Sequence, residues 1–119
     1  MSTKKPNLPL EKDTRNAVAN FFKAQGYVVQ MEYKTPYGFI DILLREYKPS
    51  GEVIYHIIEC KRRNDSNSIK SSIGQLICYA KHFPQAQTQL YFCTNAKNSL
   101  SPEAARVIAS NPDILYKVF

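Results

Sequence analysis

Asp41 lies in the apolar run Gly38-Phe39-Ile40-Asp41-Ile42-Leu43-Leu44, and Glu59 and Lys61 lie in a second run, Ile57-Ile58-Glu59-Cys60-Lys61. Ionised groups among Ile, Leu and Phe lose their hydration, at a cost of several kcal/mol each, unless they are paired or bind a cation. Both runs read as β-strands, in which side chains alternate between faces. Phe39, Asp41 and Leu43 then share one face, with Ile40, Ile42 and Leu44 on the other. In the second run Ile57, Glu59 and Lys61 share a face, with His56, Ile58 and Cys60 opposite. Paired as neighbours, the two strands would bring Asp41, Glu59 and Lys61 together on one side of the sheet.

Two carboxylates and the backbone carbonyl of Cys60 make a set of hard oxygen donors, which suits Mg²⁺ or Mn²⁺ better than zinc. An ion held there would bind a phosphodiester, act as a Lewis acid and acidify an attacking water. Lys61 would orient or deprotonate that water and offset charge developing at phosphorus. Phosphodiester hydrolysis is the chemistry these residues imply. Two plainer readings stay open: Asp41 as an edge-strand acid paired with Arg45 or Lys34, and Glu59 with Lys61 on the wet face of a half-exposed strand. A zinc site built from His56, Cys60, Cys78 and His82 is excluded by reach. Four strand residues span about 13 Å, whereas zinc ligands lie within about 2.0–2.3 Å of the metal. His56 and Cys60 therefore read as core or edge residues.

The elements that must position these groups follow from periodicity and turn chemistry. Residues 1–8, with Lys4 and Lys5, have no apolar period and predict a mobile basic arm, leaving residues 9–119 as a single domain. Val18 and Phe22, with Phe21 beside them, mark a helix from about Pro9 to Gln25 that stops at Gly26. Glu11 and Arg15 project onto the same stripe. Strands are predicted over Tyr27 to Tyr33, Phe39 to Tyr47 and Val53 to about Lys61, joined by the turns Thr35-Pro36-Tyr37-Gly38 and Lys48-Pro49-Ser50-Gly51. The two turns imply an antiparallel meander. After a polar loop from Arg62 to Ser68, the residues Ile69, Ile73, Leu76, Ile77, Ala80 and Phe83 mark an amphipathic helix ending near Pro84. Leu90 to Thr94 reads as a strand, Ser101-Pro102-Glu103 as the capped start of a helix, and Ile114 to Phe119 as a last strand.

Asp41 followed by Glu59-Cys60-Lys61 on successive strands resembles the PD-(D/E)XK nuclease superfamily, and the order of elements from about residue 10 onward is similar to its small Holliday-junction-resolvase-like and exonuclease-like branches. The resemblance implies an α/β, restriction-endonuclease-like core: a mixed sheet of four to five strands flanked by helices in the order α-β-β-β-α-β-α-β. It also implies a Mg²⁺- or Mn²⁺-dependent endonuclease with Asp41, Glu59 and the Cys60 carbonyl as ligands and Lys61 as catalytic lysine. One departure is Ile40, which stands where many members have proline. Glu11 matches a carboxylate that several branches place on the first helix as a further metal or water ligand, although a first-turn acid also stabilises a helix N-terminus. Gln75 and Tyr79 resemble a Gln-x-x-x-Tyr element, with Gln75 positioning water or backbone. Projection sets both beside the apolar stripe, where packing is the alternative.

Sixteen Lys and Arg against ten Asp and Glu give a net charge of +6, which favours a polyanionic partner. Lys34, Arg62, Arg63, Lys70 and Tyr79 are the expected nucleic-acid contacts. The basic groups would set affinity and salt dependence rather than sequence preference. Tyr33, Tyr37, Tyr47 and Tyr55 cluster at the turns, where stacking on unpaired bases and sheet-edge packing are both open. Nothing has the form of a recognition helix. The expected partner is DNA, with RNA open because the site chemistry does not distinguish sugars. Cutting both strands would call for a homodimer, and a protein partner supplying specificity, as in a mobile-element, restriction or repair system, stays open. So does a non-catalytic binding or scaffold module, against which the intact Glu59 and Lys61 count. The three cysteines show no Cys-x-x-Cys spacing, no apolar run approaches the ~18 residues of a membrane span, and no secretory signal opens the chain. Together these predict a cytoplasmic protein with no membrane association.

Overall fold

A computed structural model describes residues 11–119. The arm expected over residues 1–8 lies outside the described residues. Helix α1 (Glu11–Ala24) leads into strands β1 (Val28–Thr35), β2 (Gly38–Tyr47) and β3 (Val53–Lys61), then helix α2 (Ser66–Ala80), strand β4 (Gln87–Thr94), helix α3 (Pro102–Ala109) and strand β5 (Ile114–Val118). The five strands form one sheet in the order β1-β2-β3-β4-β5. β1, β2 and β3 are the antiparallel meander, whereas β3, β4 and β5 are parallel and need α2 and α3 as crossovers.

Both faces of the sheet are covered. On one, α1 lays Val18, Ala19 and Phe22 against Ile42, Leu44, Ile58, Cys60 and Cys93. On the other, α2 packs Leu76 and Tyr79 onto Ile40, Leu43 and Ile57, while Ile69 and Ile73 meet Phe92 and Ala104 of α3. Strands buried on both faces read as nearly continuous apolar runs, as in Ile42-Leu43-Leu44 and Ile57-Ile58. His56 is buried, bonded through Nδ1 to the Tyr91 hydroxyl at 2.6 Å and through Nε2 to Glu46 at 2.9 Å. Cys60 and Cys93 are buried free thiols. Among the described residues no helix is long and apolar enough to cross a membrane.

The structure departs from simple alternation in β2. Alternation groups Ile40 with Ile42 and Leu44 on the α1 face, but Ile40 packs with Leu43 and Ile57 against α2. The cause is a break in the ladder. β2 pairs with β3 from Tyr47↔Val53 to Ile42↔Ile58 and no further, while its first residues continue along β1 through Tyr33↔Ile40 to Thr35↔Gly38. Glu32, across from this break, takes φ 52°, a left-handed conformation that non-glycine residues seldom adopt. β2 thus peels away from β3 just where Asp41 lies.

Tyr79 holds the peeled segment. Its hydroxyl donates to the Phe39 carbonyl at 2.9 Å, and it is only 2% exposed. Gly38 has φ +126°, and a Cβ there would stand 3.3 Å from the Tyr79 hydroxyl oxygen. Gly38→Ala combines backbone strain with crowding of that contact and should lower stability by about 1–3 kcal/mol. Urea denaturation measures this, and an unchanged or higher midpoint would show that the turn does not depend on glycine.

Candidate active site

The break between β2 and β3 leaves the Cys60 N–H without a strand partner, and the Asp41 side chain supplies one. Its Oδ2 accepts from Cys60 N at 2.8 Å. That bond anchors Asp41 on the end of β3, beside Glu59, which is 4% exposed. The two carboxyl groups are close enough for one to hydrogen-bond the other. Lys61 lies between acids of two elements, with Nζ 3.6 Å from Glu59 Oε2 and 3.7 Å from Glu11 Oε1. Asp41, Glu59, Lys61 and Glu11 are therefore one cluster, built from the end of β3, the break in β2 and the first turn of α1.

Arg15 completes it. One turn after Glu11 on the inward stripe of α1, its Nη1 stands 3.8 Å from Asp41 Oδ1 and 3.7 Å from Glu32 Oε1. Asp41 is thus paired with neither Arg45 nor Lys34. Arg45 instead donates to Gln30 and lies over the rings of Tyr33 and Tyr55. The stripe position of Arg15 was legible in the sequence, but its reach to Asp41 depends on how α1 crosses the sheet. Thr14 helps to fix that crossing through a 2.9 Å hydrogen bond to Asn95.

Burial is the main cause holding the Glu59 proton, and the neighbouring Asp41 adds to it, so the Glu59 carboxyl is pushed up to about 8. Asp41 is also raised, chiefly by burial, against the pull of the Cys60 amide and Arg15. Among the described residues, cations reach the pair only at 3.6–3.8 Å, and the buried Nε of Arg15 has no hydrogen-bond partner. The carboxylates are undercompensated. A divalent cation could replace the retained proton, and the donor set, all oxygen, fits Mg²⁺ or Mn²⁺. Among the described residues no three His, Cys, Asp or Glu side chains form a ready-made cage. A bound ion would therefore draw on Asp41, Glu59, the Cys60 carbonyl and water, as a reluctantly dehydrating Mg²⁺ does.

The remaining candidates divide. Arg62 and Arg63 line an open cleft with Glu11 and Lys61, next to the acid cluster. Lys34 is exposed on β1. Gln75 is exposed on α2, with no hydrogen bond to the acid cluster among the described residues. Lys70 points elsewhere than expected, its Nζ 2.9 Å from Glu103 Oε2 on α3. Tyr79 is the other correction. It lies within the apolar stripe rather than beside it, and a ring this buried, with its hydroxyl on Phe39, cannot be a nucleic-acid contact.

A family model for the PD-(D/E)XK nuclease superfamily matches residues 10–97, a span that holds every member of the acid cluster. Among solved structures, a repair endonuclease from Pyrococcus abyssi superposes with a TM-score of 0.64 at 12% identity, over 98% of this chain and 49% of that one. A structure of an EndoMS–dsDNA complex gives 0.63 at 14% identity, over 98% and 48%. The likeness is one of fold, and the chain spans about half the length of these two proteins. No curated protein sequence matches it.

The buried acid has a measurable consequence for the metal-free protein. Unfolded, Glu59 titrates near its ordinary 4.5, and folded it holds its proton to about 8. Between those values the folded state binds more protons, so stability falls as pH rises through the window, by on the order of a few kcal/mol. Denaturation in EDTA should show this fall, and Glu59→Gln should flatten it. Wild-type stability that rises with pH between 5 and 8, to the same extent in both proteins, would contradict the assignment.

Proposed function

Because the chain belongs to the PD-(D/E)XK nuclease superfamily, we propose that it is a metal-dependent endonuclease that hydrolyses phosphodiester bonds in DNA. The observation that carries this reading is the pairing of the half-buried Asp41 with the buried Glu59, and Lys61 Nζ 3.6 Å from Glu59. A structural ion pair gains little from a second buried carboxylate, whereas a metal site needs one.

Asp41 and Glu59, with the Cys60 carbonyl, would hold Mg²⁺, which when bound would supply Lewis acidity at the scissile phosphate and acidify water. The Cys60 N–H keeps Asp41 at a fixed angle, so the carboxylate needs no reorganisation when the substrate arrives. Lys61 presents its ammonium where negative charge grows at phosphorus and orients the attacking water. Glu11 holds Lys61 from the side of α1, balancing the pull of Glu59, and is available as a further water or metal ligand. Arg15 offsets the charge of Asp41 and ties α1 to the break in β2. Gln75, exposed on α2, is in this reading a residue that positions water or backbone as the strand enters.

Support for DNA over RNA comes from the compared structures, one a repair endonuclease and the other a complex with dsDNA. A net charge of +6 suits either polyanion. One such site cuts one strand, so cleavage of both strands proceeds by a homodimer or by sequential cuts.

Supercoiled, linear, branched and single-stranded DNA, and RNA, incubated with Mg²⁺, Mn²⁺ or EDTA, test the reading. Wild-type protein should cut DNA with either metal and not in EDTA. Asp41→Asn, Glu59→Gln and Lys61→Ala should each lose at least about 10²–10³ in rate, by the scale of removing one group that stabilises transition-state charge. Cutting that persists in all three variants would reject this site, and metal-independent binding without cutting in any metal would make the chain a binding module instead.

A further inference from the structure

Beside the acid cluster, a cleft of about 390 Å³ runs between the start of α1, the end of β3 and the first turns of α2. Of its lining residues, Glu11 and Lys61 belong to the acid cluster and count as its inner wall, while Arg62, Arg63, Asn67, Ser68 and Ser71 do not and count as its outer one. The nuclease chemistry uses the inner wall and leaves the outer wall unexplained.

The cations of the two walls differ in how they are engaged. Lys61 is shared between Glu11 and Glu59. Elsewhere Arg15 faces Asp41 and Glu32, and Lys70 is bound to Glu103. Arg62 and Arg63 make no direct ion pair among the described residues, and Arg63 acts on the nearby Asp65 only through its charge, so both guanidinium groups keep donors for a ligand. α2 opens with Ser66-Asn67-Ser68 and carries no acid in its first turn, in contrast to α1 and α3. The nearby carboxylate of Asp65 is engaged as the helix cap, Oδ2 accepting from Ser68 N at 3.3 Å and Oδ1 from Ser68 Oγ at 2.7 Å.

The loop that carries the two arginines is anchored rather than loose. Asn64, next to Arg63, is buried and exchanges hydrogen bonds with Asn98: its Nδ2 donates to the Asn98 carbonyl at 3.0 Å, and Asn98 Nδ2 donates to Asn64 Oδ1 at 2.9 Å. Such a reciprocal amide pair, between segments far apart in sequence, fixes where the backbone of Arg62 and Arg63 emerges. With the backbone anchored, only the side chains remain to be ordered when an anion binds, which costs less than ordering a free arm.

We propose that this cleft is a second phosphate subsite, in which Arg62 and Arg63 bind an internal phosphodiester of the strand being cut, beside the one placed at Asp41 and Glu59. The inference rests on the nuclease reading and adds to it the path of the strand: past Lys61 and onto the first turns of α2. Arginine's planar fork suits a phosphate oxygen pair, and Asn67 and Ser71 supply neutral donors. The walls are mostly exposed residues, so a strand passes through the cleft instead of ending in it. Successive phosphates of one strand advance about 3.4 Å along a duplex axis, which allows neighbouring phosphates to occupy adjoining sites.

The test measures binding, not cutting. Fluorescence anisotropy of a short DNA duplex, in Ca²⁺ buffer without Mg²⁺, compares wild type, Arg62→Gln/Arg63→Gln, and a control with the same change of charge at the far end of the sheet, Lys48→Gln/Lys81→Gln. A set of duplexes carries one neutral methylphosphonate at successive positions. The slope of log affinity against log salt should shrink by about 1 or more in the arginine variant and by less in the control. One methylphosphonate position should weaken wild type about tenfold and leave the arginine variant unaffected. Equal sensitivity of wild type and arginine variant at every position would overturn the subsite while leaving the nuclease reading intact. Wild type that fails to bind DNA at any salt concentration would overturn both. Circular dichroism of each variant should match that of wild type, which checks that the substitutions leave the fold unchanged.

Discussion

Two carboxyl groups share one nearly dry place at the end of β3, and the rest of the molecule is arranged around the difficulty of keeping them there. Side by side, they cannot both ionise without a nearby cation. Among the described residues the cations stop short: Lys61 and Arg15 approach no closer than 3.6 Å and 3.8 Å. The Cys60 amide is a short contact, at 2.8 Å from Asp41, but carries no full charge. A metal-free protein meets the deficit by retaining a proton. A divalent ion of the right hardness would meet it better, and in doing so would place positive charge where a phosphodiester can use it.

That arrangement depends on a local failure of regular structure. If β2 and β3 stayed paired past Ile42↔Ile58, the Cys60 N–H would face a backbone carbonyl and Asp41 would have no anchor. Several contacts hold the strands apart. The Glu32 backbone turns left-handed, Gly38 admits the Tyr79 hydroxyl, and that hydroxyl binds the Phe39 carbonyl. On the opposite face α1 brings Glu11 and Arg15 over the opening, its position fixed by Val18 and Phe22 in the core and by Thr14 on Asn95. The two helices that bury the sheet therefore also shape the cleft at its edge.

Much of this was legible in the sequence because the strands are apolar and the intruding charges are few. Asp41, Glu59 and Lys61 stood out against Ile and Leu, and the turn residues marked the meander of β1, β2 and β3, whereas the parallel pairing of β4 and β5 depends on how α2 and α3 cross the sheet. Glu11 was identifiable from its place on the helix stripe and from the family resemblance. The bend at Asp41 was not legible, since strict alternation puts Ile40 with Ile42, and nothing local marks Glu32 as a residue with positive φ. Tyr79 was misplaced because a tyrosine at the border of a stripe projects equally well inward or outward, and only packing against Gly38 decides. Lys70 looked like one basic group among several until α3, brought alongside α2, supplied Glu103. Arg15 shows the same limit: its face was readable, but its partner lies on another element.

If the charge deficit of Asp41 and Glu59 is what shapes the site, a divalent cation should complete the pair. Titration of Mn²⁺ into the protein at pH 8, with free Mn²⁺ followed by electron paramagnetic resonance, measures it without reference to any substrate. Wild type should bind Mn²⁺ saturably, and Glu59→Gln should lose affinity by at least about tenfold. Equal Mn²⁺ binding by the two proteins, or none by wild type, would mean that the buried acids serve some purpose other than holding a metal.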